Sequence, residues 1–327
     1  MASKNVLKYG TDYVPTINDN TDSEFGKYET YSREKIDEKI DSGVGSSTGY
    51  DWSNKLVVFE GESITMNATM KYPERVGEQT GCEVLKIGIA GVPVMGVYPG
   101  RDIDLRRRIA NIPANADAIL ILGDCNAIDT KDTQTDSTSL EEWGGRWNIA
   151  VEAIKKSFPT VPLFLISEYP MKGKKNQNKN VPIQFKAMAQ KHGAIFICLA
   201  EESPISLIHA YPTWGLTATD GVHCNHEATM VWADVIANKL KDVKPTEWTG
   251  TDTIAIAETE VTVAVDSTVE LTVTRTGDLS VQWTSDNMDV ACVIGGVIYG
   301  MTEGTATITA TTRNGNKATC TVTVTAA

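Results

Sequence analysis

Hydrophobic and polar positions divide the chain into three textures. Residues 1–52 are polar, rich in Asp, Thr, Ser and Gly, with little apolar periodicity. Within them, Ser32 to Asp41 predicts a short helix with Ile36 and Ile40 on one face. A helix this short is marginal in isolation and needs a partner surface, such as another copy of itself. The Gly- and Ser-rich run at 43–49 reads as a flexible joint.

Residues 53–243 alternate short apolar runs with longer helical stretches. The runs 55–60, 83–88, 118–122, 162–167 and 194–198 predict buried strands. Trp143, Trp147, Val151, Ile154 and Phe158 recur at spacings of four and three, which marks one face of a helix. Val231, Val235 and Ile236 do the same in the last helix. Strand–helix alternation of this kind predicts a three-layer α/β/α domain around a parallel sheet. Sites in such sheets form at the carboxyl ends of the strands. Residues 244–251 read as a linker. From 252 to 327 the pattern changes to period two, with Gly and Asn-Gly turns about every ten residues. That texture predicts an all-β sandwich, with strands at 261–265, 270–274, 305–309 and 319–324. Cys320 falls on its inward face and Cys292 on its outward face, so a disulfide between them is not expected.

Polar residues gather where strands should end. Gly61, Glu62 and Ser63 follow the first strand of the α/β region, Gly88 to Gly91 the second, and Gly123 to Asn126 the third. Asp220, Gly221, Val222 and His223 stand just before the last helix. A serine after a glycine turn, or one histidine, is usually incidental. The signal lies in four such segments in order, each at a strand end or helix start. Serine is a weak nucleophile until a base takes its proton, and imidazole can accept that proton and return it to a leaving group. A carboxylate three residues before the histidine can orient the ring. The Gly-x-Ser-x-Gly elbow of α/β-hydrolases is absent, because Thr65 stands at its second glycine.

On these residues, the stretch from about 55 to 241 resembles the SGNH (GDSL-type) hydrolases. Gly61, Glu62 and Ser63 stand for that family's Gly-Asp-Ser block, and Asp220 to Asn225 for its Asp-Gly-Val-His-Pro-Asn block. Gly91 and Gly123 to Ala127 fit the two blocks between. The resemblance implies a catalytic set of Ser63 as nucleophile, His223 as base and Asp220 as orienting acid. It also implies an oxyanion hole made by the Ser63 and Gly91 amides and the Asn126 side chain. The chain departs from the family pattern at Glu62, Cys125 and Cys224. Trp214, shortly before Asp220, is a candidate substrate contact. Trp143 and Trp147 could line a sugar platform, but their helical spacing favours the core. His226 reads as a polar group at a helix start, and Lys172 to Lys179 as a solvated basic loop.

The tail, residues 252–327, resembles bacterial immunoglobulin-like domains of group 2. Val281 to Ser285, the Gly296–Gly300 hairpin and Gly304 to Ala310 carry that resemblance. Such domains occur in bacterial surface proteins and phage virion proteins. With the polar N-terminal segment, this arrangement implies a phage structural protein whose first residues attach it to other virion proteins, with a homo-oligomer as an option.

Charge and cysteine usage narrow the field. Acidic side chains outnumber basic ones by 42 to 30, a net charge of -12, which repels nucleic acid. The N-terminus lacks the apolar core of a secretory signal, and no apolar run reaches the length of a membrane span. The expected setting is therefore the virion, made in the host cytoplasm and acting at the cell surface. Six cysteines without a CxxC pair argue against a zinc site or a disulfide framework, so neither metal nor cofactor is expected. A metal or redox role for Cys125 and Cys224 is the sharper but less favoured reading. The expected function is a serine esterase removing O-acetyl groups from bacterial surface carbohydrate. Its competitors are a non-catalytic glycan-binding adhesin and a structural or decoration protein on a decayed hydrolase scaffold.

Overall fold

A computed structural model describes residues 6–9, 12–15, 49–68, 70–92, 94–95, 105–124, 140–167, 175–202, 223 and 226–327. The α/β region holds a five-stranded sheet of β3 (Leu56–Glu60), β4 (Glu83–Lys86), β5 (Ala118–Gly123), β6 (Leu163–Ser167) and β7 (Ile195–Cys198). All neighbours pair in parallel, in the spatial order β4-β3-β5-β6-β7. The strand order reverses at β3, which opens a crevice beyond the carboxyl ends of β3 and β5, where open α/β sheets bind ligands.

Alternation along each strand feeds two cores. Val57, Phe59, Leu120, Leu122, Phe164 and Ile166 point to one face, and Val58, Ile119, Ile121, Leu163 and Leu165 to the other. Tyr72–Thr80 and His226–Lys241 cover the first face, with Tyr72, Val76, Trp232, Ile236 and Leu240 buried against it. Leu140–Ser157 and Lys175–His192 cover the second. The stripe expected from spacing, Trp143, Trp147, Val151, Ile154 and Phe158, is buried there, each side chain contributing roughly 1.5–3 kcal/mol. Phe185 stacks on Trp143, with ring centroids 6.1 Å apart, and meets Trp147 edge-on at 4.7 Å. These tryptophans are core, as their spacing predicts.

The tail forms a sandwich whose main sheet runs, in spatial order, Val281–Ser285, Gly304–Thr312, Lys317–Thr325 and Glu260–Ala264, facing a second sheet of Thr268–Glu270, Val297–Gly300 and Ala291–Ile294. These are β9 (Glu260–Ala264), β10 (Thr268–Glu270), β12 (Val281–Ser285), β13 (Ala291–Ile294), β14 (Val297–Gly300), β15 (Gly304–Thr312) and β16 (Lys317–Thr325). A separate pair joins β8 (Asp252–Ile256) to β11 (Val273–Gly277). The run 270–274, expected as one strand, is divided. Thr268–Glu270 pairs with β14 and Val273–Gly277 with β8, because the chain changes sheets at Leu271 and Thr272. Period-two alternation survives such a crossing, so the break does not register in the pattern.

Cys320 is buried in the sandwich core, as expected. Cys292 does point away from it, yet it is only 2% exposed. With Ile294 it enters the second core of the α/β domain, beside Met288, Tyr299 and Met301. The two are not joined in a disulfide. The tail thus packs directly on the layer built by Leu140–Ser157. The segment expected as a linker is pinned as well. Thr246 Oγ1 donates to Thr160 O at 3.0 Å, and Trp248 Nε1 donates to Asp117 Oδ1. Arg313 lies over the Trp248 ring at 3.9 Å and donates to Asn115 O.

Two further departures concern local structure. Residues 6–15 contain an antiparallel pair, β1 (Val6–Tyr9) with β2 (Asp12–Pro15), in a segment whose polar texture predicts no strands. The basic run 172–179, expected as a loop, is helical from Lys175 onward. The expected helix at Ser32–Asp41 lies outside the described residues. Trp52, expected at the end of the polar segment, is 1% exposed in the first core and donates from Nε1 to Val243 O at 3.1 Å.

Candidate active site

The carboxyl ends of β3, β4 and β5 converge through glycine. A Cβ on Gly88 would lie 2.3 Å from Gly61 O, and one on Gly61 would lie 2.1 Å from Thr65 Oγ1 and 2.9 Å from Leu122 O. Only hydrogen fits at both, which lets Ile89 N donate to Gly61 O at 3.1 Å. After Gly61 the chain turns at Glu62 into a four-residue helix, Ser63–Met66. Ile64 and Thr65 face inward, and Thr65 Oγ1 pairs with Tyr72 Oη at 2.9 Å. Thr65 thus anchors the turn where an elbow glycine would have no side chain to do so. Ser63, between buried Glu62 and buried Ile64, is left half-buried at the sheet edge.

His223 comes to it from the far end of the domain. Ser63 Oγ and His223 Nε2 are 2.8 Å apart, although the residues are separated by 160 positions in sequence. The helix that follows His223 is fastened to the serine segment. Buried Thr229 donates from Oγ1 to Met70 O at 2.6 Å, and Gln79 Nε2 donates to Asp234 Oδ1. Gly91, in the loop after β4, has φ +75°, a left-handed conformation suited to glycine. Of the residues assigned by sequence, Ser63 and His223 are in hydrogen-bond contact and Gly91 is in the loop that follows the neighbouring strand. Asp220, Asn126 and Trp214 lie outside the described residues, as do Cys125 and Cys224. Among the described residues, no cluster of three or more His, Cys, Asp or Glu could hold a metal, and no helix is long and apolar enough to cross a membrane.

Beneath the turn lies a buried charged group that sequence reasoning did not assign. Glu60, Glu62, Asp124 and Arg108 are each at most 2% exposed. Arg108 Nη1 is 3.1 Å from Glu60 Oε1, and Gly61 N donates to the same oxygen at 3.0 Å. Burial pushes the Glu60 carboxyl up to about 7, with Arg108 and the Gly61 amide opposing the rise. Asp124 Oδ1 accepts from Val94 N at 2.9 Å, and Oδ2 accepts from Met95 N at 2.8 Å and Trp143 Nε1 at 3.1 Å. Burial, and then Glu62, hold the Asp124 carboxyl well above the usual carboxylate range. One signal for this group was present in the sequence. Glu60 closes an otherwise apolar strand, and a buried charge there requires a partner.

Comparison with known proteins bears on both domains. Residues 251–322 match the bacterial Ig-like domain (group 2). The tail is an Ig-like β sandwich, similar in sequence to that group. No curated protein matches the chain. Among solved structures, one crystal structure aligns at TM-score 0.50 and 19% identity, over 59% of this chain and 99% of its own. A protein from Lactobacillus plantarum aligns at TM-score 0.46 and 20% identity, over 57% of this chain and 97% of its own. An acetylxylan esterase from Geobacillus stearothermophilus aligns at TM-score 0.45 and 17% identity, over 58% and 96%. The α/β domain is a parallel five-stranded sheet between helical layers. The Ig-like domain follows it and contributes Cys292 and Ile294 to its second core.

Proposed function

We propose that the protein is a serine esterase that removes O-acetyl groups from bacterial surface carbohydrate as part of a phage particle. The observation that carries the chemistry is the 2.8 Å contact between Ser63 Oγ and His223 Nε2 at the carboxyl edge of a parallel sheet. Ser63 Oγ attacks the acetyl carbonyl while His223 Nε2 takes its proton. The tetrahedral oxyanion is held by the Ser63 and Gly91 amides and the Asn126 side chain. His223 then protonates the departing sugar oxygen, leaving acetyl-Ser63. Water, deprotonated by His223, attacks the acetyl-enzyme, and the proton returns to Ser63 as acetate leaves. Asp220 holds the imidazole in the tautomer that leaves Nε2 free to accept. Trp214 is the proposed sugar contact.

The acetyl group and the glycan rest on the family resemblance of the four motif segments, and the virion setting on what the arrangement of polar N-terminal segment, hydrolase-like domain and Ig-like tail resembles. Acetate release from O-acetylated polysaccharide or a small aryl acetate, lost in Ser63→Ala, tests the reaction. Equal rates in the two proteins would rule out this serine, and glycan binding without turnover would leave an adhesin. Detection of the protein in purified virions tests the setting, and its absence from them overturns that part.

A further inference from the structure

One buried side chain, Arg108, ties the serine turn to the loop that follows Gly91. Its Nη1 makes an ion pair with Glu60 Oε1 at 3.1 Å, and its Nη2 donates to Val94 O at 3.2 Å. The same Glu60 oxygen accepts from Gly61 N at 3.0 Å, two residues before Ser63. Val94 belongs to the loop that carries Gly91, and its own amide donates to Asp124 Oδ1 at 2.9 Å. Arg108 closes the short helix Leu105–Arg108, which is fastened at both ends. Leu105 N donates to Val94 O at 2.7 Å, and Gln282 Nε2 of the Ig-like tail donates to Ala110 O at 2.8 Å. Resting on the esterase reading above, we propose that Glu60 and Arg108 are a positioning pair that fixes the Ser63 turn against the Gly91 loop. Both are too deeply buried to touch substrate, so each acts through the backbone it holds.

Stability alone does not account for the pair. Taking two charges out of water costs about as much as their attraction returns, and apolar side chains of similar volume are often as stable in such a place. What apolar side chains cannot supply is an acceptor for Gly61 N and a donor to Val94 O. The acceptor matters because residue 61 has no side chain to fix the turn. A Cβ there would meet Thr65 Oγ1 and Leu122 O, so the amide must be held from outside. The donor matters in the same way for the neighbouring loop. A planar guanidinium presents two nitrogens in fixed directions and can serve Glu60 and Val94 O together, whereas an ammonium is a single point of charge.

The test compares wild type with the double replacement Glu60→Leu/Arg108→Met and with Arg108→Lys and Glu60→Gln. Assays run at mildly alkaline pH, where the Glu60 carboxyl is ionised. The double replacement removes both charges together, which keeps the fold, and with them both backbone partners. On a small aryl acetate its kcat should fall about 10- to 100-fold with KM close to wild type, while its urea midpoint stays near that of wild type. Arg108→Lys keeps the charge but loses the fork, and should lose a similar factor. Glu60→Gln keeps an acceptor for Gly61 N and should lose less. Amide exchange gives a reading independent of activity. The Gly61 N–H should exchange about 10-fold faster in the double replacement, the scale of one lost hydrogen bond, while amides of β5 stay protected. Wild-type kcat in the double replacement or in Arg108→Lys, a change confined to KM, a loss of kcat that only follows a loss of stability, or unaltered Gly61 exchange overturns the pair. A wild type that releases no acetate, or releases it without Ser63, overturns the esterase reading and the catalytic role of the pair with it. The exchange rates then still decide whether the pair holds Gly61.

Discussion

Ser63 Oγ stands 2.8 Å from His223 Nε2 across the sheet edge, and both belong to segments anchored by buried side chains. Thr65 holds the serine turn to Tyr72, and Thr229 holds the histidine helix to Met70 O. The contact is therefore fixed by the two helices packed on the first core, rather than by either loop alone. It makes a direct prediction. A serine-directed phosphonate probe should label Ser63 in the native protein, and His223→Ala should lower the labelling rate about 10⁴-fold, the scale of losing one member of a triad. Equal labelling in the two proteins contradicts an activated serine.

Gly88→Ala should damage fold and site together. The added Cβ would meet Gly61 O at 2.3 Å, a backbone atom that cannot swing aside. Overpacking of this kind costs typically about 1–3 kcal/mol, and a backbone partner puts it at the upper end. Urea denaturation should show that loss, accompanied by slower Ser63 labelling, because Gly61 lies two residues before the nucleophile. Unchanged stability would mean that strands β3 and β4 can separate without cost.

The Glu60 carboxyl imposes a pH dependence whose sign can be worked out. Its value is about 7 when folded against an ordinary value of 4.5. Between these values the folded protein keeps a proton that the unfolded chain has lost. The unfolded state thus binds fewer protons, and stability falls as pH rises through this window, then levels off above it. The contribution is on the order of 3 kcal/mol across the window. Unfolding measured in urea near both ends of the range should show the decline in wild type. Glu60→Gln should be flatter by that amount, and an identical slope would mean Glu60 titrates normally.

Cys292 tests whether the two domains are one structural unit. Its side chain lies in the second core of the α/β domain, contributed by the Ig-like domain. Cys292→Phe forces extra side-chain volume into that buried site, at a cost of about 1–3 kcal/mol. A single cooperative loss of stability in thermal unfolding, affecting Ser63 labelling as well, is the expected result. A destabilised tail with an unaffected α/β domain would show that the contact is not maintained in solution.

Periodicity and local sterics account for what was legible in the chain. Continuous apolar runs at 55–60, 118–122 and 162–167 identified strands buried on both faces, and the stripe from Trp143 to Phe158 identified the helix that covers one of them. Gly61 before Ser63, at the end of the first apolar run, marked a turn that could expose a hydroxyl. These signals are local, because each residue's face is set by its own backbone geometry. Tertiary structure decided the rest. It brought Ser63 and His223 together from 160 residues apart and set Arg108 against Glu60. It also covered the outward face of Cys292 with a second domain, divided the run 270–274 between two sheets, and paired β1 with β2. Each of these is a pairing of surfaces distant in sequence. A repeat of two or 3.6 residues reveals which face is buried but not what buries it.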